Sequence, residues 1–212
     1  VLPSYYTVKG YGENEILIEK SKFIAHVARA ETEDEALDFI QKIKKKHSSA
    51  NHNCSAYLIG ENDQIQKAND DGEPSGTAGV PILEVLKKKK LKDTVVVITR
   101  YFGGIKLGAG GLIRAYSKAT TAGLEAAGIV ERTLMRIVHT IVDYTWLGKL
   151  ENELRSSIYK IKEIHYLDLV KIETYVKDSK TELFVEWITE LTNGQGKCLE
   201  GNHLYLEELI DT

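Results

Sequence analysis

The chain of 212 residues has only two cysteines, Cys54 and Cys198, and neither lies in a C-x-x-C pair. That scarcity argues against a disulfide framework and makes a reducing cytoplasm the expected location. No apolar run approaches the ~20 residues of a membrane span, so no membrane partner is expected. The opening VLPSYYTVKG lacks a basic stretch followed by an apolar one and does not read as a secretory signal. A surplus of one charge is missing too: 28 Lys and Arg stand against 31 Asp and Glu, net −3. There is thus no global pull toward nucleic acid, and any such contact needs a local patch. Neither G-x-x-x-x-G-K-[ST] nor G-x-G-x-x-G occurs, and GEPSG misses the G-x-S-x-G nucleophile elbow by one position. His47, His52 and Cys54 are neighbours in sequence, but no second ligand pair stands at zinc spacing, so Cys54 reads as a buried strand residue.

What the chain does have is glycine, concentrated in two segments. DDGEPSGTAGVP (70–81) and TRYFGGIKLGAGGLIRAYS (99–117) hold eight of the seventeen glycines, from Gly72 to Gly111. Glycine gives up the most backbone entropy on folding, so such density implies positive φ or close approach to the main chain. The first segment is an acidic loop of Asp70, Asp71, Gly72, Glu73, Ser75, Gly76 and Thr77. Its oxygens are compatible with Mg²⁺ or a polar ligand, or with a plain acidic turn, and no cofactor or metal is assigned. The second segment runs from a strand through a glycine loop into a helix N-terminus, where free N–H groups suit an anion. It offers Arg100, Lys106 and Arg114 for phosphates or RNA and Tyr101 and Phe102 for stacking. Gly103, Gly104, Gly108, Gly110 and Gly111 would let main-chain amides come close. The alternative is tight packing of strand, loop and helix. If the segments converge, Asp70, Asp71 and Glu73 form one wall of a cleft and Arg100, Lys106 and Arg114 the other. No catalytic residue is identifiable from spacing.

The elements around these segments read as α+β. Strands are expected at 15–19 and 22–29, then a helix opened by the capping box Thr32-x-x-Glu35 and closed by Lys42 to Lys46. A strand pair covers 54–60 and 64–68, a helix 81–90, and the β-branched run TVVVITR (94–100) a strand buried on both faces. A helix follows from Gly110. Residues 1–130 carry 18 basic and 16 acidic side chains, whereas 131–212 carry 10 and 15. The second stretch reads strand, helix, strand, strand, helix, strand, with Ser179 and Glu182 capping its last helix. That order is the ferredoxin-like split unit, so two domains are expected, 1–130 and 131–212.

DDGEPSGTAGVPIL and VVVITRYFGGIKLGAGGLIRAYS, with SKFIA at Lys22 and HNCSAY at His52, closely resemble the signature blocks of the IMPACT family, of the bacterial YigZ/YvyE type. The resemblance implies an N-terminal domain similar to the second domain of ribosomal protein S5. It also implies a ferredoxin-like C-terminal domain similar to domain V of elongation factor G. Eukaryotic members restrain a starvation-activated kinase that acts on translation initiation, and they carry an RWD domain that is not read in this sequence. The kinase pathway is therefore not carried over. What the resemblance implies here is a translation-associated regulatory role, with RNA, the ribosome or a translation protein as partner, and more a binding module than an enzyme. The alternative is an enzyme acting on a phosphorylated small molecule or nucleotide, because kinases share the S5-like domain. The residues do not indicate an oligomeric state.

Overall fold

The computed structural model describes residues 1–210 and divides the chain into two compact units, residues 1–132 with 208–210, and residues 133–207. The first unit contains β1 (Ser4–Val8), β2 (Gly12–Ile18), β3 (Ser21–Arg29), α1 (Glu33–Lys46), β4 (His52–Ile59), β5 (Ile65–Asn69), α2 (Gly79–Lys88), β6 (Thr94–Tyr101) and α3 (Gly108–Ala127). β7 (Ile129–Val142) leads into the second, which holds α4 (Leu147–Arg155), β8 (Lys160–Tyr166), β9 (Val170–Lys177), α5 (Thr181–Leu191) and β10 (Lys197–Leu209). The mixed α+β architecture is the one expected. Among the described residues no helix is long and apolar enough to cross a membrane.

The first unit is built on an antiparallel sheet of order β2-β3-β6-β4-β5. β6 is its middle strand, and alternation along it sends side chains to two cores. Val95 and Val97 join Ile40, Ile43, Tyr57 and Ile59 on the α1 side. Val96 and Ile98 join Ile82, Leu86, Leu112, Tyr116 and Leu124 on the α2 and α3 side. Two covered faces explain why the run is continuously β-branched, and each such buried side chain contributes roughly 1.5–3 kcal/mol. The strand is central and buried as expected; both of its neighbours are antiparallel to it, and α2 feeds it by a crossover from β5, which runs parallel to β6 on the far side of β4.

Local signals account for the helix and turn boundaries. Thr32 Oγ1 accepts from the Glu35 amide at 3.2 Å, as the capping box requires. The Glu35 carboxylate accepts from the Glu31 amide at 2.7 Å, one residue short of the usual partner. The β2–β3 hairpin turns on Glu19 and Lys20 at φ 47 and 65, a two-residue connection made without glycine. The glycine that this turn requires is elsewhere: a Cβ on Gly103 would sit 2.0 Å from the Lys20 carbonyl oxygen.

In the second unit the strands order as β10-β7-β9-β8, so its first strand lies between its third and fourth. With the β-α-β-β-α-β sequence order this is the ferredoxin-like arrangement. Val138, Val142, Leu150, Leu154, Val170, Ile172, Val176, Phe184 and Ile188 form its core. The Ser179–Glu182 cap is not formed. Residues Asp178–Lys180 make a 3₁₀ turn that takes up Ser179, α5 starts two residues later at Thr181 without a side-chain cap, and Thr181 Oγ1 donates to the Asp178 carbonyl at 3.0 Å.

Candidate functional site

Both glycine segments leave the first sheet at the same end. β4 pairs with β6 so that His52 faces Arg100, and with β5 so that Ser55 faces Asn69. The C-termini of β5 and β6 therefore emerge together, and residues 70–78 and 102–107 follow. Here the structure builds two different things, a buried polar node and an open basic cleft.

The node is centred on Glu73, which is 8% exposed. Its Oε1 accepts from Arg100 Nη1 at 2.6 Å and from Tyr116 Oη at 2.7 Å. His52 Nε2 lies 3.7 Å from Oε2. Arg100 Nη2 also donates to Ser21 Oγ at 3.3 Å, and the guanidinium sits between the Phe23 and Phe102 rings at 5.4 and 5.6 Å. Cys54 Sγ donates to the Asp70 carbonyl at 3.0 Å. Burial pushes the Cys54 thiol up to about 12, so it stays protonated at neutral pH and has no nucleophilic character. The same cause raises the Tyr116 phenol.

The neighbouring carboxylates are spent on the backbone. Asp70 Oδ1 accepts from the amides of Ala78 and Gly79 at 3.1 and 2.8 Å, and Oδ2 from Gly76 at 2.9 Å. Asp70 thus caps α2 from eight residues upstream, where the N-cap residue Ala78 has no side chain to do so. Burial raises its carboxyl, but these three N–H donors outweigh that and hold it below the ordinary range. Asp71 Oδ2 accepts from the Asn53 amide at 2.7 Å, Oδ1 lies 3.4 Å from Lys44 Nζ, and its carbonyl accepts from His52 Nδ1 at 2.9 Å. Thr77 Oγ1 donates to the Pro74 carbonyl at 2.6 Å. Among the described residues, no group with metal-ligand geometry includes Asp70, Asp71 or Glu73.

The cleft lies at the N-terminus of α3. Lys106, Gly111, Arg114 and Lys118 line it with Ile18, Glu19, Ile105, Leu107 and Ala115, around about 530 Å³. Three cations face one carboxylate, and the first turn of α3 has neither an acidic residue nor a side-chain cap. Gly108 opens the helix at φ 71 with nothing within 4 Å of where its Cβ would stand, a conformation that costs any other residue and leaves the approach clear.

The sequence-derived candidates therefore separate. Lys106, Gly111 and Arg114 come together as expected, while Gly104, Gly108 and Gly110 lie along the segment that forms the cleft. Arg100 does not share their wall. It is 4% exposed and held by Glu73, because an arginine on the inward face of a central strand must be paired to be buried. Tyr101 Oη is bonded to His47 Nδ1 at 2.8 Å, whereas Phe102 remains 46% exposed. Lys118 was missed. Its signal was the i, i+4 spacing from Arg114, which places both on one helix face. His52 and Tyr116 of the node were also not recognised, because a half-buried histidine and a core tyrosine have no local signature.

An α+β protein of two compact units, with a basic cleft on the first, is the class that this geometry defines. Residues 19–124 match the Impact N-terminal domain and residues 140–195 a domain of unknown function, DUF1949. IMPACT family member YvyE of Bacillus subtilis is 66% identical over 211 residues, covering 100% of this chain and 97% of that protein. YigZ of Escherichia coli, another IMPACT family member, is 30% identical over 184 residues, covering 86% and 90%. A crystal structure described as a hypothetical protein superposes with a TM-score of 0.60 at 27% identity, over 94% of this chain and 98% of the other. The chain belongs to the IMPACT family.

Proposed function

We propose that this protein is a translation-associated regulator that binds RNA through phosphates held in the cleft at the α3 N-terminus. The translation role rests on family membership. The RNA contact rests on one observation, the convergence of Lys106, Arg114 and Lys118 on an uncapped helix N-terminus. Phe102, exposed on the segment leading into the cleft, supplies a ring for base stacking. Because the chain is net acidic, attraction depends on local positive charge such as this patch, so binding is salt-sensitive.

Fluorescence anisotropy with a labelled single-stranded RNA at several salt concentrations tests this reading. Each neutralised phosphate contributes a log–log slope of about −0.7 on single strands, so Lys106→Ala with Arg114→Ala should flatten the slope by about 1.4. Arg100→Ala is not a useful probe, since it removes a core ion pair. Unchanged affinity and slope in the double variant would refute the RNA reading. The cleft volume also suits a nucleotide-sized molecule, which favours the enzymatic alternative as the second reading. A thermal shift with nucleotide and Mg²⁺, lost in the same double variant, would support that alternative.

A further inference from the structure

The sheet of the second unit carries a polar cluster on the side away from its helices. Ile161 and Ile164 of β8 both pack against the core formed by α4, α5, β7 and β9, although they are three residues apart on a strand of period two. The strand accommodates them with a bulge: Ile161 pairs with Thr174 and Glu163 pairs with Glu173. Lys162 and Glu163 together thus oppose Glu173, and His165 follows two residues on, opposite Lys171. Two carboxylates now stand directly across an antiparallel pair, an arrangement that repels unless a positive group lies between them.

The histidine–carboxylate distances in this cluster are longer than ordinary hydrogen bonds. His165 Nε2 is 3.6 Å from Glu163 Oε2 and 3.5 Å from Glu173 Oε1, and His139 Nδ1 reaches the same Oε1 at 3.4 Å. N–H···O bonds are ~2.7–3.2 Å long. His165 Nε2 and His139 Nδ1 are both shielded from solvent and have no hydrogen-bond partner. Two ligand atoms each ~2.1 Å from a tetrahedral ion are about 3.4 Å apart, which matches these spacings. One ligand atom from each of Glu163, His165 and Glu173 falls within 4.8 Å of the others. Lys162 Nζ holds the other Glu173 oxygen, Oε2, at 3.1 Å, and Lys171 Nζ is 4.0 Å from Oε1.

We propose that Glu163, His165 and Glu173 bind a divalent transition-metal cation of the Zn²⁺ type. The three side chains leave a fourth position for water, and Glu163 and Glu173 supply the anionic ligands while Lys162 keeps the second Glu173 oxygen. The imidazole selects such an ion over Mg²⁺ or Ca²⁺, which take oxygen ligands. This site is separate from the α3 cleft and does not depend on the RNA reading.

The test uses the full chain, Zn²⁺ in competition with a chromophoric chelator, and Co²⁺ as an optical reporter. The expected result is one Zn²⁺ per chain, weakened about tenfold or more by either Glu163→Gln or His165→Asn. Co²⁺ should give visible bands of a four-coordinate site without sulfur charge transfer, and Mg²⁺ should not compete. Glu163 is exposed, so Glu163→Gln should keep the thermal transition of the metal-free protein. Absence of one-to-one Zn²⁺ binding would overturn the proposal and leave the cluster as an ion-pair network. So would binding that survives both variants, or that shows thiolate charge transfer from Cys54 or Cys198.

Discussion

Removing one partner of the Glu73–Arg100 pair should be among the costliest substitutions in the first unit. The two side chains are 4% and 5% exposed and their atoms are 2.6 Å apart. Glu73→Leu leaves the guanidinium with only Ser21 Oγ and two ring faces, and Tyr116 Oη loses its acceptor. Arg100→Met leaves the carboxylate with the Tyr116 phenol as its hydrogen-bond donor and His52 Nε2 at 3.7 Å. Uncompensated buried charge costs about 3–5 kcal/mol, so each single variant should lose that much. The double variant, with neither charge left, should lose far less than the sum of the two. Urea unfolding followed by far-UV circular dichroism measures these values. Trp146 and Trp187 are the chain's two tryptophans and both lie in the second unit, so their fluorescence follows that unit separately. A single variant that loses under about 1 kcal/mol would rank the pair with surface salt bridges and refute the reasoning. Additivity of the two within about 0.5 kcal/mol would refute it equally.

Acid should weaken the first unit through His26. Its ring is fully buried, and burial holds its pKa down to about 4, against the opposing pull of Glu13. The unfolded chain then binds the proton first, so stability is complete above the ordinary value of 6.5 and is lost as pH falls toward 4. The loss is on the order of 3 kcal/mol. Urea midpoints between pH 7 and 4.5 should fall for the native sequence and much less for His26→Asn, and parallel profiles would show that another group is responsible. Of two glycine substitutions, Gly76→Ala sits in open space at φ 77 and should cost about 1 kcal/mol. Gly103→Ala drives a methyl into the Lys20 carbonyl and should cost clearly more, an order that thermal unfolding can check or reverse.

The strands and helices were legible because their signals are local or periodic. TVVVITR is β-branched throughout since both of its faces are covered, and Thr32-x-x-Glu35 caps α1 within a single turn of chain. The Ser179–Glu182 signal failed for an equally local reason. The 3₁₀ turn competed for Ser179, and Asp178 in that turn is held by Arg136 at 3.1 Å and His203 at 2.7 Å, contacts from residues distant in sequence. The bulge in β8 left a trace, isoleucines three apart in a strand, but only the pairing with β9 shows that both intervening residues face Glu173.

The site was only partly legible, because charge in a glycine-rich segment has two uses that look alike in sequence. Lys106 and Arg114 follow the end of β6, beyond the sheet, and are free to face a cleft. Arg100 is one residue before the end of the strand, with its side chain on the α2 and α3 side, so it enters the core and requires a carboxylate. Glu73 meets that requirement and in doing so ties the acidic loop to β6 and, through Tyr116, to α3. The acidic loop therefore acts on the cleft indirectly. It anchors the helix whose first turns carry Gly111 and Arg114, and Asp70 fixes the loop in turn through three main-chain bonds. The two glycine segments form one structural unit, in which one braces the helix and the other presents the positive charge.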